Sequence, residues 1–319
     1  MASTTRAISA TAAPATLAAP CVRSHTRANA PGRAARPSLA RAAPLQFARS
    51  SAMAGVTVAA RRSVKHSTRS LAVRVEASDK VPAGSVSLVL LAGGVGKRMG
   101  AAIPKQYLPL RGNPIATYSL GTCSKMQEFG EVIVVCDPSY QEVFQTFNMN
   151  LPKSLPLKFA LPGKERQDSV FNGLQEVSDD AALVAVHDSA RPLVTEAEIT
   201  AVLEDAMDVG AAVLGVSCKA TVKEASADGM VVKTLDRSTL WEMHTPQVIK
   251  PQLLKDGYKL VAEKGYEVTD DVSIVEFLGA PVKITKGSYE NLKVTTPEDL
   301  LIAERLLDDR AAKAATVNA

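Results

Sequence analysis

The sequence is poor in cysteine and in aromatic side chains. Its 319 residues include four cysteines and one tryptophan, and aromatic residues make up 4% of the chain. No two cysteines have the C-x-x-C spacing that many structural zinc sites use. Three of the four, Cys123, Cys136 and Cys218, lie in or beside apolar runs. The pattern argues against a disulfide-rich scaffold and a structural zinc site, and it predicts a reducing compartment.

Acidic residues are missing from the first 75 positions. This leader contains eleven arginines and one lysine among many Ala, Ser, Thr and Pro residues. No apolar run in it is long enough to cross a membrane or to form the hydrophobic region of a secretory signal. An acid-free, Arg-rich leader is typical of organellar transit peptides. The Ser/Ala/Pro texture favours plastids, so we expect residues 1–76 to be a disordered chloroplast transit peptide and the protein to reach the stroma.

The excess of basic residues disappears with the leader. Twelve of the 37 Lys and Arg residues lie in it, so 25 basic residues face all 33 Asp and Glu residues in the rest of the chain. The net charge of that part is therefore −8, against +4 for the full sequence. Neither nucleic acid nor a membrane is an expected partner. About 240 residues support a single core, so we expect residues 77–319 to form one domain.

Beyond the leader, short apolar runs alternate with amphipathic segments. Strands are predicted at 86–91, 108–110, 131–137, 157–161, 182–186, 211–216 and 282–285. Helices are predicted at 114–126, 139–147, 167–177, 196–209, 251–264, 270–278 and 297–307, before a polar, Ala-rich tail. This alternation predicts an α/β fold, a single Rossmann-like domain with a mostly parallel sheet.

Residues 218–235 interrupt the series. Apolar and polar residues alternate there around Asp228-Gly229, which predicts a β-hairpin. A hairpin that projects from an α/β sheet exposes its edges and can pack on a partner. Two interpretations stay open: a dimerisation arm at about residues 217–240, or a solvated surface hairpin.

The first predicted strand leads into a loop rich in glycine and cations. Gly93, Gly94 and Gly96 let the backbone turn sharply and bring N–H groups close to a ligand. Three cations, Lys97, Arg98 and Lys105, follow closely. The loop therefore predicts a site for a polyanion.

The two most familiar phosphate motifs are absent from this loop. In a P-loop, the residue five before Gly96 would be glycine and the residue after the Gly-Lys pair would be Ser or Thr, but they are Leu91 and Arg98. A Rossmann fingerprint that starts at Gly94 would require glycine at Met99. The stretch instead reads L-x-A-G-G-x-G-x-R-M followed by P-K, and it resembles nucleotidyltransferases that couple a nucleoside triphosphate to a phosphorylated small molecule.

A second cluster, V-H-D-S-A-R-P at 186–192, follows another predicted strand. Ligands of open α/β sheets bind at the carboxyl ends of strands. Asp188 is well placed there to hold Mg²⁺, a cation that prefers oxygen ligands. His187 alone is more typical of a buried, hydrogen-bonded histidine than of a catalyst.

With this cluster, the resemblance narrows to the 2-C-methyl-D-erythritol 4-phosphate cytidylyltransferase family. Further matching stretches are G-K-E-R-Q-D-S at 163–169, T-V-K at 221–223, D-R to T-P-Q within 236–247, T-D-D at 269–271 and N-L-K-V-T at 291–295. The similarity covers almost all of residues 85–308. It implies a CTP-dependent transferase of non-mevalonate isoprenoid synthesis that uses Mg²⁺ or another divalent cation and forms a homodimer through an intertwined arm.

The resemblance also implies roles for individual residues. Arg98 and Lys105 would stabilise the transferring α-phosphate, and Arg237 and Lys293 would hold the attacking phosphate of the second substrate. The nucleotide would contact Ala92, Gly93, Gly94, Gly96, Gly163, Lys164, Ser169, Asp188 and Ser189. The second substrate would contact Arg191, Thr221, Thr245, Thr269 and Asp270. The metal ligand would be Asp188.

The sequence departs from its bacterial relatives at two positions. These often carry an acid where this chain has Lys164 and an aspartate where it has Glu290, which leaves a second metal-binding carboxylate at position 290 in doubt. Two alternatives stay open: a cytidylyltransferase for another polyol phosphate, such as ribitol 5-phosphate, and a non-catalytic nucleotide-binding homologue. The full set of cations argues against the second, because a scaffold does not require it.

Overall fold

The computed structural model describes residues 80–94 and 103–317. The transit-peptide prediction and the predicted roles of Gly96 and Arg98 therefore lie outside the described residues. Within the described part of the chain, no helix is both long and apolar enough to cross a membrane.

The described residues form eleven strands, several of which are very short. In chain order they are β1 (Val86–Leu91), β2 (Pro109–Leu110), β3 (Asn113–Pro114), β4 (Phe129–Val135), β5 (Leu157–Ala160), β6 (Leu183–Asp188), β7 (Ala211–Ser217), β8 (Lys223–Ala225), β9 (Val231–Thr234), β10 (Trp241–Ile249) and β11 (Lys283–Lys286). The helices are α1 (Thr117–Cys123), α2 (Gln141–Met149), α3 (Arg166–Gln175), α4 (Glu196–Val209), α5 (Pro251–Lys264), α6 (Asp271–Phe277) and α7 (Pro297–Val317).

Seven strands form one sheet in the order β11-β7-β10-β6-β1-β4-β5. β10 is antiparallel to both of its neighbours, and the other adjacent pairs are parallel. The prediction of an α/β fold with a mostly parallel sheet is therefore confirmed. β8 and β9 pair with each other as the predicted hairpin, whose turn contains Gly229 with φ of +84°. The dimerisation role of that hairpin stays a prediction.

Helices cover both faces of the central sheet because its strands are apolar on both sides. On β1, Leu90 faces a cluster that includes Ile199 of α4. Its neighbour Val89 faces the opposite cluster, with Leu174 of α3 and Leu254 of α5. All five side chains are essentially inaccessible to solvent. The two cores hold the sheet rigidly, so the ends of its strands are fixed positions for functional groups.

Three sequence predictions differ from the structure. Pro114 was expected to start a helix, but it pairs with Pro109 in β3 after a turn in which Gly112 has φ of +89°. β10 was not predicted, since Pro246 within it is unusual for a central strand. α7 was expected to end at Leu307 but continues to Val317, because alanine is the best helix former.

Candidate active site

A cavity of about 440 Å³ opens at the carboxyl ends of β1 and β6. The chain places β4 on one side of β1 and β6 on the other, so the cavity lies where the strand order reverses. Open α/β sheets bind their ligands at such points. The cavity contacts the main chain of Gly93 and Gly94 just after β1.

Two glycines allow close approach of the cavity walls. A β-carbon added to Gly93 would lie 2.4 Å from Cβ of Pro162, and one added to Gly163 would lie 2.1 Å from Cβ of Asp168. Real β-carbons do not approach so closely. Glycine is therefore required at position 93 for the loop after β1 to pack against the loop after β5, and at position 163 for that second loop to pack against the first turn of α3.

The loop after β1 is held from behind by the short 3-10 helix Lys105–Tyr107. The buried side chain of Gln106 donates from Nε2 to the carbonyl oxygens of Ala92, at 2.7 Å, and Gly94, at 2.8 Å. The hydroxyl of Tyr107 donates to the same Ala92 oxygen at 2.9 Å. These bonds fix the part of the glycine loop that the structure describes.

Asp188 is the centre of charge in the cavity. Its Oδ2 lies 2.5 Å from Nζ of Lys293, and its Oδ1 lies 3.2 Å from Nε of Arg166. Burial opposes ionisation of this carboxyl group, but Arg166 and Lys293 outweigh burial and hold its pKa well below the usual range. Asp188 is therefore an anion at every pH at which an enzyme of this kind would operate.

Arg166 connects Asp188 to a second, fully buried acid. Its two terminal nitrogens donate to the two carboxylate oxygens of Asp271, each at 2.8 Å. Burial raises the pKa of Asp271, while the attraction of Arg166 opposes that rise. Bidentate pairing fixes the plane of the guanidinium group. Arg166 thus reaches the cavity from a rigid support at the start of α6.

Lys105 lies on the same wall as Lys293. Its Nζ donates to the carbonyl oxygen of Val294 at 2.7 Å. The amide of Val294 in turn donates to the carbonyl oxygen of Ala190 at 2.8 Å. The segment that carries Lys293 is thus joined to the turn after β6, and two lysine ammonium groups border one cavity.

A buried polar network lies behind Asp188. The Asp188 amide donates to Oγ1 of Thr245 at 3.0 Å, and that oxygen lies 3.0 Å from Nδ1 of His187. Nε2 of His187 lies 3.2 Å from the carbonyl oxygen of Arg191. Asn291 accepts from Arg191 at its own carbonyl and donates from Nδ2 to the carbonyl oxygen of Thr245. Burial lowers the pKa of His187 to about 4, so its ring is neutral near pH 7.

A family model describes residues 86–309 of this chain under the words 2-C-methyl-D-erythritol 4-phosphate cytidylyltransferase. The chain is 63% identical over 226 residues to a protein of that name, termed chloroplastic, from Oryza sativa subsp. japonica, over 71% of this chain and 75% of that one. It is 45% identical over 221 residues to a protein of that name from Chlamydia pneumoniae, over 69% of this chain and 98% of that one.

A solved structure agrees with these matches. The crystal structure of 2-C-methyl-D-erythritol 4-phosphate cytidylyltransferase from Thermus thermophilus superposes with a TM-score of 0.57 and 31% identity, and covers 70% of this chain and 98% of that one. This chain belongs to the 2-C-methyl-D-erythritol 4-phosphate cytidylyltransferase family. The resemblance that its motifs indicate is therefore confirmed.

The fold brings together many of the residues that the resemblance to this cytidylyltransferase family implies. Those that line the cavity are Gly93, Gly94, Lys105, Gly163, Lys164, Ser169, Asp188, Ser189 and Lys293. Ala92 is buried directly beside them, and Arg191 lies in the network behind Asp188. The Ser169 hydroxyl accepts from the Gly163 amide at 2.9 Å, so it shapes the loop that crosses the cavity.

Five other predicted site residues do not line this cavity. Thr221 lies just before β8 and Arg237 just after β9, and both are exposed. Arg237 donates to the carbonyl oxygen of Lys219 at 2.9 Å. Asp270 caps α6 by accepting from the Ser273 amide at 3.1 Å, and Thr269 precedes it. Their roles toward substrate stay predictions. Thr245 lies behind Asp188, as described above.

Sequence reasoning missed several residues that border the cavity. Arg166, which pairs with Asp188, falls within the G-K-E-R-Q-D-S stretch but received no role. Gln106 directly follows Lys105, yet an uncharged side chain that supports a loop from behind carries no signal in one sequence. The signal for Arg166 was its position in the G-K-E-R-Q-D-S stretch, because an arginine in a motif of a nucleotide site is expected to bind phosphate.

Proposed function

We propose that this chain transfers the cytidylyl group of CTP to 2-C-methyl-D-erythritol 4-phosphate. The products are 4-diphosphocytidyl-2-C-methylerythritol and pyrophosphate, and the reaction serves non-mevalonate isoprenoid synthesis. The observation that carries the proposal is the cavity at the ends of β1 and β6, where Lys293 and Arg166 pair with Asp188 and Lys105 lines the same cavity in a chain of this family.

The reaction is an in-line substitution at phosphorus. A phosphate oxygen of the second substrate forms a bond to the α-phosphorus of CTP, while the bond from that phosphorus to the oxygen that bridges the α- and β-phosphates breaks. That oxygen leaves as a terminal oxygen of pyrophosphate. Negative charge accumulates on the α-phosphate oxygens and on the leaving group. Such transfers depend on positioning and charge stabilisation more than on acid–base groups.

The lysines of the cavity match this requirement. Lys105 and Lys293 are proposed to contact phosphate oxygens, and Arg98, outside the described residues, is proposed to join them. The attacking phosphate would compete with Asp188 for Lys293, since both are anionic acceptors. Arg166 stays anchored by Asp271 and keeps a positive charge beside Asp188.

A divalent cation is proposed to bind at Asp188 together with nucleotide oxygens. Among the described residues, no group of three or more His, Cys, Asp or Glu side chains could hold a metal. Glu290 pairs with Arg310 at 3.0 Å and does not border the cavity. Mg²⁺ is typically held by one or two carboxylates and by phosphates, so Asp188 is a fitting protein ligand. The cation would neutralise charge on the triphosphate.

The cytosine base is proposed to lie near Gly163 and Lys164, where the main chain borders the cavity. Peptide N–H and carbonyl groups can match the edge of a pyrimidine. Ser169 contributes through its bond to the Gly163 amide, which fixes the direction of that peptide.

The hairpin is proposed to be the arm of a homodimer. At the start of β9, three consecutive apolar side chains, Met230, Val231 and Val232, are each more than half accessible. Apolar strand surfaces of this kind favour burial against another surface. The arm would carry Thr221 and Arg237 to the active site of the partner subunit, where Arg237 would hold the attacking phosphate, with Thr269 and Asp270 completing the substrate contacts.

A plastid location is proposed from the leader. Residues 1–76 have the composition of a transit peptide, with a single acid at the end of the segment. The relative from Oryza sativa subsp. japonica bears the word chloroplastic in its name. The stroma is proposed as the compartment, since the cysteine pattern predicts a reducing one.

The function is tested by pyrophosphate release with CTP and a set of polyol phosphates. We expect release with 2-C-methyl-D-erythritol 4-phosphate and at most slow release with ribitol 5-phosphate. Faster turnover of ribitol 5-phosphate would favour the other polyol phosphate as substrate. Binding of CTP with no release from any acceptor would instead favour a non-catalytic nucleotide-binding protein.

A further inference from the structure

His187 has a defined arrangement of hydrogen atoms. The carbonyl oxygen of Arg191 can only accept, so the Nε2 atom that faces it carries the hydrogen. A neutral ring has one such hydrogen, which leaves Nδ1 as an acceptor. Nδ1 faces Oγ1 of Thr245, so the threonine hydroxyl donates to the ring.

This assignment leaves the Thr245 oxygen free to accept. This oxygen accepts a hydrogen bond from the Asp188 amide at 3.0 Å, while the threonine hydroxyl donates a hydrogen bond to Nδ1 of His187. A continuous path therefore runs from the Asp188 amide through the threonine hydroxyl and the imidazole to the Arg191 carbonyl. Its two ends are three residues apart on the turn after β6, where the Arg191 amide also donates to the Asp188 carbonyl at 2.9 Å.

The path joins the turn to a different strand. Thr245 belongs to β10, which pairs with β6 in the antiparallel direction. The imidazole, whose residue is 1% accessible, fills the space between the turn and β10. Loss of either hydrogen bond would leave a buried donor or acceptor unsatisfied and would free the turn to shift. The side chains of Asp188 and Arg191 both leave from that turn.

We propose that His187 is a positioning residue that fixes Asp188 and Arg191 through the Thr245 hydroxyl and the Arg191 carbonyl. It touches no substrate. The inference rests on the proposed function, because the effect of the position of Asp188 is observed as cytidylyl transfer. It also gives Thr245 a role that differs from direct substrate contact.

Four variants test the path. His187→Gln can place its amide nitrogen near the position of Nε2 and keep a donor for the Arg191 carbonyl. It leaves no acceptor for Thr245 at the position of Nδ1. Thr245→Val removes the hydroxyl with nearly the same shape, and Thr245→Ser keeps it. Thr285→Val is the matched control, since Thr285 is also a buried strand threonine and donates to Asp205 at 2.6 Å, away from the cavity. Folded protein is quantified by melting, and kcat is given per folded molecule.

We expect His187→Gln and Thr245→Val each to lower kcat about tenfold or more, because small displacements of reacting groups are costly. KM for CTP should change less than about threefold, and Thr245→Ser and Thr285→Val should stay within about twofold of the wild type, since they leave the path intact. The double variant His187→Gln/Thr245→Val should lose about as much as one single variant, because both break one path.

Additive losses in the double variant would overturn the inference, and so would kcat values near those of the wild type. A loss in Thr245→Val confined to KM of the methylerythritol phosphate would also contradict it, because it would indicate direct contact with substrate. If His187→Gln does not fold, the comparison of Thr245→Val with Thr245→Ser still decides. A wild type that releases no pyrophosphate would overturn the proposed function and this inference together.

Discussion

The two ion pairs of Asp188 differ in how easily an incoming phosphate can replace the carboxylate as the partner of the cation. A buried carboxylate is costly unless it is paired, and here each of its oxygens has a cationic partner. Arg166 is also held by two hydrogen bonds to Asp271, whereas the ion pair of Lys293 is with Asp188. Lys293 is thus the more easily redirected cation. The attacking phosphate can recruit it without leaving Asp188 unpaired.

Lys105 is predicted to stabilise the transition state of the reaction. Lys105→Ala should lower turnover by about 10² or more, equivalent to ~3 kcal/mol of transition-state stabilisation, because a positioned cation is lost. The melting temperature should change little, since the ammonium group borders the cavity and not the core. The matched control is Lys283→Ala, the same change at an exposed position of β11. Near-normal turnover of the Lys105 variant with normal melting would contradict its role.

Single residues also show what one sequence can predict. Asp188 and Lys293 could be chosen because they lie within motifs that the resemblance makes informative. The burial and hydrogen bonding of His187 could be predicted too, but its pairing with Thr245, and that of Gln106 with Ala92 and Gly94, could not, since these pairs join residues that are apart in the sequence. The bond between Ser169 and the Gly163 amide is likewise visible only once α3 has folded against the loop.

Among the elements, β4 contains a buried acid at the end of the sheet opposite the cavity. Glu131 accepts from Lys158 at 2.7 Å, from the Ser87 hydroxyl at 2.6 Å and from the Ser178 amide at 2.8 Å. Burial raises its pKa, but these donors outweigh burial and lower the pKa from 4.5 to about 2. The contacts join β1, β4 and β5 to the segment after α3.

The depressed pKa of Glu131 predicts a pH-dependent contribution to stability. A carboxyl group whose pKa is lower in the folded state stabilises it above pH 4.5 and loses that effect as the pH falls toward 2. The difference in free energy of unfolding between the wild type and Glu131→Gln should therefore shrink as urea titrations move from about pH 6 to about pH 3. Glu263→Gln, at an exposed position of α5, serves as control. A difference that stays constant with pH would contradict the assignment.

The hairpin predicts complementation between defective subunits. If Arg237 acts in the partner's active site, heterodimers of Arg237→Ala with Lys105→Ala contain one intact composite site of two. Mixing should restore up to about half of the capacity per heterodimer. Lys105→Ala mixed with Lys293→Ala should restore nothing, because both lysines border the same cavity of one chain. No recovery after verified subunit exchange, or a fully active monomer by light scattering, would contradict the arm model.

The elements differ in how well their sequence reveals them. α4 begins and ends as predicted because Thr195 and Glu198 form a capping box and Gly210, with φ of +106°, ends the helix. β10 was missed since its neighbours β6 and β7, and not its own pattern, stabilise it. Pro114 is a common first helical residue, but the β2–β3 pairing overrides that tendency.

At the scale of the whole molecule, the two parts of the sequence have opposite charge. The leader is free of acids over its first 75 residues, whereas the part that follows has a net charge of −8 and contains the family match. The cavity in that part gathers cations despite the negative total. Local placement of cations therefore matters more for the substrate than net charge does.

The leader predicts the destination of the protein. Residues 1–80 fused to a fluorescent protein should direct it to plastids, since this acid-poor segment has the composition of a transit peptide. The fluorescent protein alone should stay in the cytosol. Imaging that places the fusion in the cytosol, or only in mitochondria, would contradict the prediction.

The most direct test of the account follows the oxygen atoms of the reaction. 2-C-Methyl-D-erythritol 4-phosphate labelled with ¹⁸O on its phosphate is incubated with CTP, a divalent cation and the protein, and both products are analysed by mass spectrometry. Attack of the substrate phosphate on the α-phosphorus predicts that all of the label appears in the diphosphocytidyl product and that the pyrophosphate is unlabelled. Label in the released phosphates, or pyrophosphate release without a labelled cytidylyl product, would contradict the account.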